Sequence, residues 1–321
     1  MNKILKIIGD YGIVPVVKID NADDAKPLAK ALLEGGLPIA EITFRTEAAE
    51  QAIRNITGEF PEMLVGAGTV LNVEQAERAI NAGVKFIVSP GFNPKVVQYC
   101  IDKNVPITPG CSNPTDIEMA LDFGLETVKF FPAEAFGGLK TLKAMSAPYG
   151  MMKFIPTGGI NAKNINDYLA FNKVLACGGS WMVKSDLTAS GNFAEITRLT
   201  KEAVNVMLGF DLAHVGINMP DADSSISVTK KMSEIFNFSL KEGNSSNFAG
   251  SGIEVNKSMG LGKNGHIAIK TNNINRAIAY LERRGIAVDM STAKGPAGGP
   301  MVAVYLKDEI GGFAVHLLQK K

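Results

Sequence analysis

The sequence predicts an α/β fold: a (β/α)8 TIM barrel over residues 1–209, followed over residues 212–321 by a smaller α+β domain of two βαβββ modules. Short runs rich in β-branched residues recur eight times in the first two hundred positions, each followed by a stretch of helical length. These runs are too apolar to have a solvated face, as in parallel sheets covered on both sides. Beyond Gly209 the pattern changes to alternating strands and turn-rich stretches that contain an internal echo.

The expected strands are Ile13–Ile19, Ile39–Arg45, Leu64–Val70, Phe86–Gly91, Ile107–Gly110, Thr127–Ala133, Lys153–Gly159 and Val174–Ser180. Amphipathic stretches such as Ala25–Leu33, Glu74–Ala82 and Ile165–Leu169 lie between them, and Gly36, Gly83 and Gly124 stand where helices stop. The first ten residues read as a lead-in helix, and Phe193–Leu208 as the helix that closes the ring. Eight units in this length suit a compact barrel better than an open doubly wound sheet. In the tail, Ala213-His-Val-Gly-Ile-Asn218 is echoed by Gly265-His-Ile-Ala-Ile-Lys270, and a helix follows each copy. In the second helix Ile274, Ala277, Ile278 and Leu281 share one face.

Bulk properties narrow the function. The chain has 321 residues, with 33 Lys plus Arg against 32 Asp plus Glu. That balance argues against a general nucleic-acid or membrane-surface role, so an anionic ligand must be met by a local site. Cys100, Cys111 and Cys177 are odd in number and suit free thiols in a reducing compartment. No segment has the apolar length of a membrane span, and a cytoplasmic protein is expected.

Side chains at the C-terminal ends of barrel strands converge on one mouth. There the sequence supplies Glu41-Ile-Thr-Phe-Arg45-Thr, Gly66-Ala-Gly-Thr69, Lys129-Phe-Phe-Pro-Ala-Glu134, Pro156-Thr-Gly-Gly159 and Gly178-Gly-Ser180. Lys129, flanked by Val128, Phe130 and Phe131, would be desolvated, and desolvation favours the neutral amine that attacks a ketone. The alternative is a strand-end lysine that reaches solvent or pairs with Glu134. Glu41 could shuttle protons or pair with Arg45, since residues four apart on a strand project to the same side. Arg45 offers a fork for a carboxylate, with Thr69 and Thr157 as hydroxyl donors or simply good strand residues. Gly158-Gly159 and Gly178-Gly179-Ser180 end the seventh and eighth strands, where barrels commonly build a phosphate site from backbone N–H groups.

With Ser89-Pro90-Gly91 added, these blocks resemble the 2-keto-3-deoxy-6-phosphogluconate (KDPG) / 4-hydroxy-2-oxoglutarate aldolase family over essentially residues 1–208. The resemblance implies a class I lyase of the Entner–Doudoroff type that needs no cofactor. It would act on a phosphorylated 2-keto acid to give pyruvate and glyceraldehyde 3-phosphate. Family members often act on 4-hydroxy-2-oxoglutarate too, and are usually trimeric. By position, Lys129 would be the Schiff-base residue and Glu41 the acid/base, with Arg45, Thr69 and Thr157 on the pyruvyl carboxylate end. Pro90 and Phe131 would line the pocket, and Gly158, Gly159, Gly179 and Ser180 would meet phosphate. The gluconate and galactonate series both stay open. Pro109-Gly-Cys111-Ser-Asn113-Pro114 departs from the family's pattern.

The three histidines of the chain, His214, His266 and His316, all fall in strand-like runs of the tail. Alternation puts His266 opposite Ile267 and Ile269 and Glu254 opposite Ile253 and Val255, so the four potential ligands share a type of position, one polar side chain per strand. Such a set suits Zn²⁺, Ni²⁺, Fe²⁺ or Mn²⁺; equally, these are pocket or core residues without metal. Residues 212–321 resemble the vicinal-oxygen-chelate superfamily, which includes glyoxalase I-type metalloenzymes, although His316 stands where that type normally has a carboxylate. Two other readings remain: the function resides in a metal-dependent isomerase or lyase tail, or the tail senses a ligand and adjusts the aldolase.

Overall fold

The computed structural model describes residues 2–320; Met1 and Lys321 lie outside the described residues. The chain divides into two compact units, Met1–Met207 and Leu208–Lys321.

The first unit contains the strands β1 (Ile13–Val17), β2 (Ile39–Thr43), β3 (Leu64–Gly68), β4 (Phe86–Val88), β5 (Ile107–Thr108), β6 (Thr127–Phe130), β7 (Lys153–Pro156) and β8 (Cys177–Gly179), with helices between them. Six form one sheet in the order β5-β4-β3-β2-β1-β8, and β6 and β7 form a second ladder. All of these pairings are parallel. Single parallel bridges, Gly110 to Lys129 and Thr157 to Gly178, carry the curl of the sheet from β5 towards β6 and from β7 to β8. Every residue of β2 and β3 is buried, which is why these strands carry no polar stripe.

Seven of the eight strands begin at the residue expected, the eighth begins three residues late, and all end early. The missing ends have turned out of the ladder: Thr69, Gly158 and Gly159 have φ of +56°, +98° and +82°, and a strand cannot continue through the left-handed region. Local chemistry fixes the helix starts. Asn2 caps the first helix, Lys3–Tyr11, which buries Leu5, Ile8 and Tyr11 and ends at Gly12 in the left-handed conformation. The unfamiliar Asn113-Pro114 is a helix start of the same kind. Asn113 accepts from the Asp116 N–H at 3.0 Å, with Pro114 in the first turn.

The second unit holds β9 (Asp211–Asn218), β10 (Leu240–Glu242), β11 (Ser246–Ala249), β12 (Ile253–Asn256), β13 (His266–Thr271), β14 (Val288–Lys294), β15 (Ala303–Leu306) and β16 (Ala314–Gln319). They form one mixed sheet in the order β10-β11-β12-β9-β13-β16-β15-β14. β9 and β13 meet antiparallel at its centre, and each pairs in parallel with the last strand of its own half. One helix, Ala222–Phe236, packs partly through hydroxyls: Ser225 donates to the Val255 carbonyl at 2.8 Å and accepts from the Asn247 amide at 2.9 Å. The other, Ile274–Arg283, buries Ile274, Ala277 and Ile278, while Leu281 is half-buried. No helix among the described residues is long and apolar enough to cross a membrane.

Candidate functional site

β6 is buried along its length and delivers Lys129 into the interior of the first unit. The strand is held to the chain after β5, with Lys129 N–H donating to the Pro109 carbonyl at 2.9 Å and Cys111 N–H to the Lys129 carbonyl at 2.8 Å. Lys129 Nζ is 3.5 Å from Glu41 Oε1, and the two side chains are only 6% and 4% exposed. It also stands 5.0 Å from the centroid of the Phe131 ring. Glu134, the other partner the sequence allowed, accepts instead from the Tyr168 hydroxyl. The Glu41 carboxylate occupies the space that a side chain on Gly68 would take: a Cβ there would be 2.1 Å from Glu41 Oε1.

Arg45 does not share a strand face with Glu41. β2 ends at Thr43, and the Arg45 N–H turns back to the Thr43 carbonyl at 2.8 Å, so the four-residue spacing no longer sets its direction. Arg45 Nε donates to Thr69 Oγ1 at 3.1 Å. Arg45, Thr157, Phe131, Gly158, Gly159 and Ser180 line a mouth cavity of about 530 Å³. Gly178 leaves room for the Thr157 hydroxyl, with a Cβ there falling 2.3 Å from Oγ1. Thr157 Oγ1 is buried and has no hydrogen-bond partner among the described residues. At Gly159 a Cβ would be 2.5 Å from Glu134 Cγ, so the tight approach as well as the positive φ requires glycine. Gly179 has the Trp181 ring where its Cβ would be, and Pro90 follows β4 with its carbonyl against Gly110.

Sequence reasoning passed over four residues. Lys18, Thr43 and Lys184 line the mouth cavity. Thr108 lines a small inner cavity together with Glu41, Lys129 and Thr157. A threonine inside an apolar run reads as a strand residue and a lysine just past a strand reads as solvated. Only the converging strand ends would have singled them out.

The family described as "Aldolase: KDPG and KHG aldolase" matches residues 4–199. The chain belongs to the KDPG and KHG aldolase family. A 2-dehydro-3-deoxy-phosphogluconate aldolase of Haemophilus influenzae is 50% identical over 205 residues, 64% of this chain and 97% of the relative. A KDPG aldolase of Legionella pneumophila, solved with pyruvate captured as a covalent carbinolamine intermediate, is 36% identical with a TM-score of 0.61, covering 63% of this chain and 98% of that one. The KDPG aldolase of Zymomonas mobilis, solved with 3-phosphoglycerate, is 40% identical with a TM-score of 0.59, covering 64% of this chain and 96% of that one. The KDPG and KHG aldolase match ends at residue 199, before the second unit begins.

That unit has a polar cluster of its own. The four central strands β12, β9, β13 and β16 each contribute one side chain: Glu254, His214, His266 and His316. Glu254 Oε2 lies 2.9 Å from His214 Nε2 and 3.2 Å from His266 Nε2. The two imidazole nitrogens are 3.2 Å apart. A ligand atom from each histidine lies within 4.8 Å of the others. Gly216 makes room for His266, since a Cβ there would be 1.9 Å from its ring. Burial alone would push the Glu254 carboxyl up, but hydrogen bonds from His214, His266 and Ser246 hold it well below the usual range. Burial, and then the neighbouring His266 and His214, push His316 down to about 4, so that it is a neutral imidazole at pH 7. Both His316 nitrogens are buried without a hydrogen-bond partner among the described residues.

Proposed function

We propose that the first unit is a (β/α)8 barrel acting as a class I aldolase, in which Lys129 forms a Schiff base with the keto carbon of 2-keto-3-deoxy-6-phosphogluconate. Cleavage gives pyruvate and glyceraldehyde 3-phosphate; 4-hydroxy-2-oxoglutarate, giving pyruvate and glyoxylate, is a second substrate of the same chemistry. The observation that carries this reading is the buried Lys129–Glu41 pair, 3.5 Å apart, in a chain of this family.

The Lys129 Nζ adds to the ketone, and Glu41 gives a proton to the carbinolamine hydroxyl so that water leaves and the iminium forms. Glu41 then takes the proton of the C4 hydroxyl as the C3–C4 bond breaks towards the iminium, leaving an enamine. Protonation of the enamine and hydrolysis release pyruvate and restore Lys129. Arg45, Thr69 and Thr157 hold the carboxylate end, with Pro90 and Phe131 against the apolar side. Gly158, Gly159, Gly179 and Ser180 take the phosphate, and Lys184 lines the same cavity, as does Lys18, which is paired with Asp20 at 2.6 Å. Three buried cysteines outside any disulfide suit a cytoplasmic setting, and the family resemblance suggests a homotrimer. Borohydride reduction in the presence of pyruvate tests the assignment: the added mass must sit on Lys129, and a label on another lysine overturns it.

The histidine cluster supports a further reading for the second unit. It would be a vicinal-oxygen-chelate domain, residues 212–321, that holds a Zn²⁺, Ni²⁺, Fe²⁺ or Mn²⁺ ion through His214, Glu254, His266 and His316. Bonds of about 2.0–2.2 Å put neighbouring ligands roughly 3 Å apart, which suits the spacings of Glu254, His214 and His266. An ion there would supply Lewis acidity. His316, neutral and unpartnered, is free to turn a nitrogen towards it. Metal analysis of the full chain tests this, and treatment with EDTA should leave pyruvate release unchanged. Loss of aldol cleavage on chelation would instead tie the reaction to the second unit.

A further inference from the structure

Beneath the mouth of the first unit lies a second cavity of about 10 Å³, with Thr157 in the wall of both. Its polar lining is Glu41, Lys129, Thr108 and Thr157, above a floor that includes Ile8 and Val14. A space of roughly 10–15 Å³ holds one water and nothing larger, provided two to four polar groups face it. Four of the residues around it, Glu41, Lys129, Thr108 and Thr157, carry such groups. Thr157 is 6% exposed and its Oγ1 finds no partner among the described residues. Leaving a buried hydroxyl in that state is costly, so an occupant that can hydrogen-bond is favoured.

Thr108 is 2% exposed at the end of β5, and valine would fill its place with almost the same shape. The hydroxyl is therefore all that threonine adds, and a buried hydroxyl needs a use. Thr43 makes the contrast, since its Oγ1 is already committed to the Val17 carbonyl at 2.8 Å.

We infer that Thr108 is a positioning residue of the aldolase: with Thr157 it holds one water in the inner cavity, the water lost when the Lys129 carbinolamine dehydrates and regained when the iminium is hydrolysed. The inference rests on the Schiff-base reading of Lys129. In dehydration the C–O bond breaks, the nitrogen lone pair forms C=N, and the departing hydroxyl takes the Glu41 proton to become water. Hydrolysis reverses each transfer. Thr108 neither gains nor loses a proton overall; it directs the lone pairs of that water at the reacting carbon.

The test uses the full chain with pyruvate alone, following incorporation of heavy oxygen from labelled water into the pyruvate ketone together with the rate of borohydride trapping. Thr108→Val should slow both by about tenfold, the loss of one useful hydrogen bond, without changing the pyruvate concentration at half-maximal rate. Thr108→Ser should restore both rates, and Thr108→Ala, which only enlarges the space, should be as slow as Val. Wild-type rates in the Val and Ala variants overturn the inference, as does a Ser variant that is equally slow, because packing and not the hydroxyl would then matter. Failure of the Schiff-base reading looks different: the unsubstituted protein itself would not be labelled at Lys129.

Discussion

The missing side chain of Gly68 is the berth of the Glu41 carboxylate. A methyl group on Gly68 would be 2.1 Å from Glu41 Oε1 and 2.7 Å from its Cδ, so the two positions on neighbouring strands cannot both carry a side chain in this arrangement. Gly68→Ala should therefore swing the carboxylate away from Lys129 and lower kcat by about 10²-fold, the worth of a general acid/base, with a smaller change in KM. Steady-state kinetics check it. An unchanged kcat would mean that the position of Glu41 is immaterial.

Lys129→Arg keeps a long basic side chain beside Glu41 and so should fold, yet its guanidinium cannot form an iminium. Turnover should fall by on the order of 10³-fold or more while the melting temperature moves little. Glu41→Gln should instead still trap pyruvate, slowly, because the amine remains. The contrast between the two is read by borohydride labelling, and equal labelling in both would count against the roles given to them.

Thr69 is a β-branched residue at φ +56°, a conformation that costs about 1–3 kcal/mol, and its hydroxyl accepts from Arg45. Thr69→Gly should relieve that strain and raise the melting temperature of the first unit. It should also free Arg45 and raise KM for the keto acid by about tenfold. Calorimetry and kinetics on one preparation must move in these opposite senses; a variant both less stable and equally active would refute the trade.

Burial pushes the thiols of Cys100 and Cys111 up to about 12, with Asp116 adding to the effect at Cys111. Each lies above its unfolded value near 9, so the fold favours the neutral thiol. The resulting stabilisation is complete below the unfolded value and is lost as pH climbs towards 12. Melting of the first unit should decline over that interval, and less steeply in a Cys100→Ala/Cys111→Ala protein. At about pH 8 a thiol reagent should find these two thiols only after unfolding.

In the second unit, Zn²⁺ at a hundredfold excess over its dissociation constant should add about 2.7 kcal/mol to stability. Gly216→Ala should abolish this gain, because a Cβ there would be 1.9 Å from the His266 ring. Thermal melts with and without metal decide it, and an undiminished metal response in the variant would place the ion elsewhere.

The sequence makes strand starts legible because a β-branched run opens on its first apolar residue. Strand ends were harder to read, since Arg45, Thr69 and Gly158 look like continuations yet have left the ladder. Two-residue alternation brought out His214, Glu254, His266 and His316 as one polar position per strand, and the sheet gathers them. What joins Lys129 to Glu41 rather than Glu134 was not readable, because it depends on Tyr168 engaging Glu134 from 34 positions away. Arg45 looked tied to Glu41 by spacing until the turn after Thr43 redirected it.

The antiparallel seam between β9 and β13 has a further consequence. His214 and Glu254 come from the segment before it and His266 and His316 from the segment after, so neither half alone owns a complete ligand set. Any ion bound at the cluster would rivet two like pieces together, and a chain cut in the 257–265 connection could reassemble around the metal that each fragment is too poor in donors to keep.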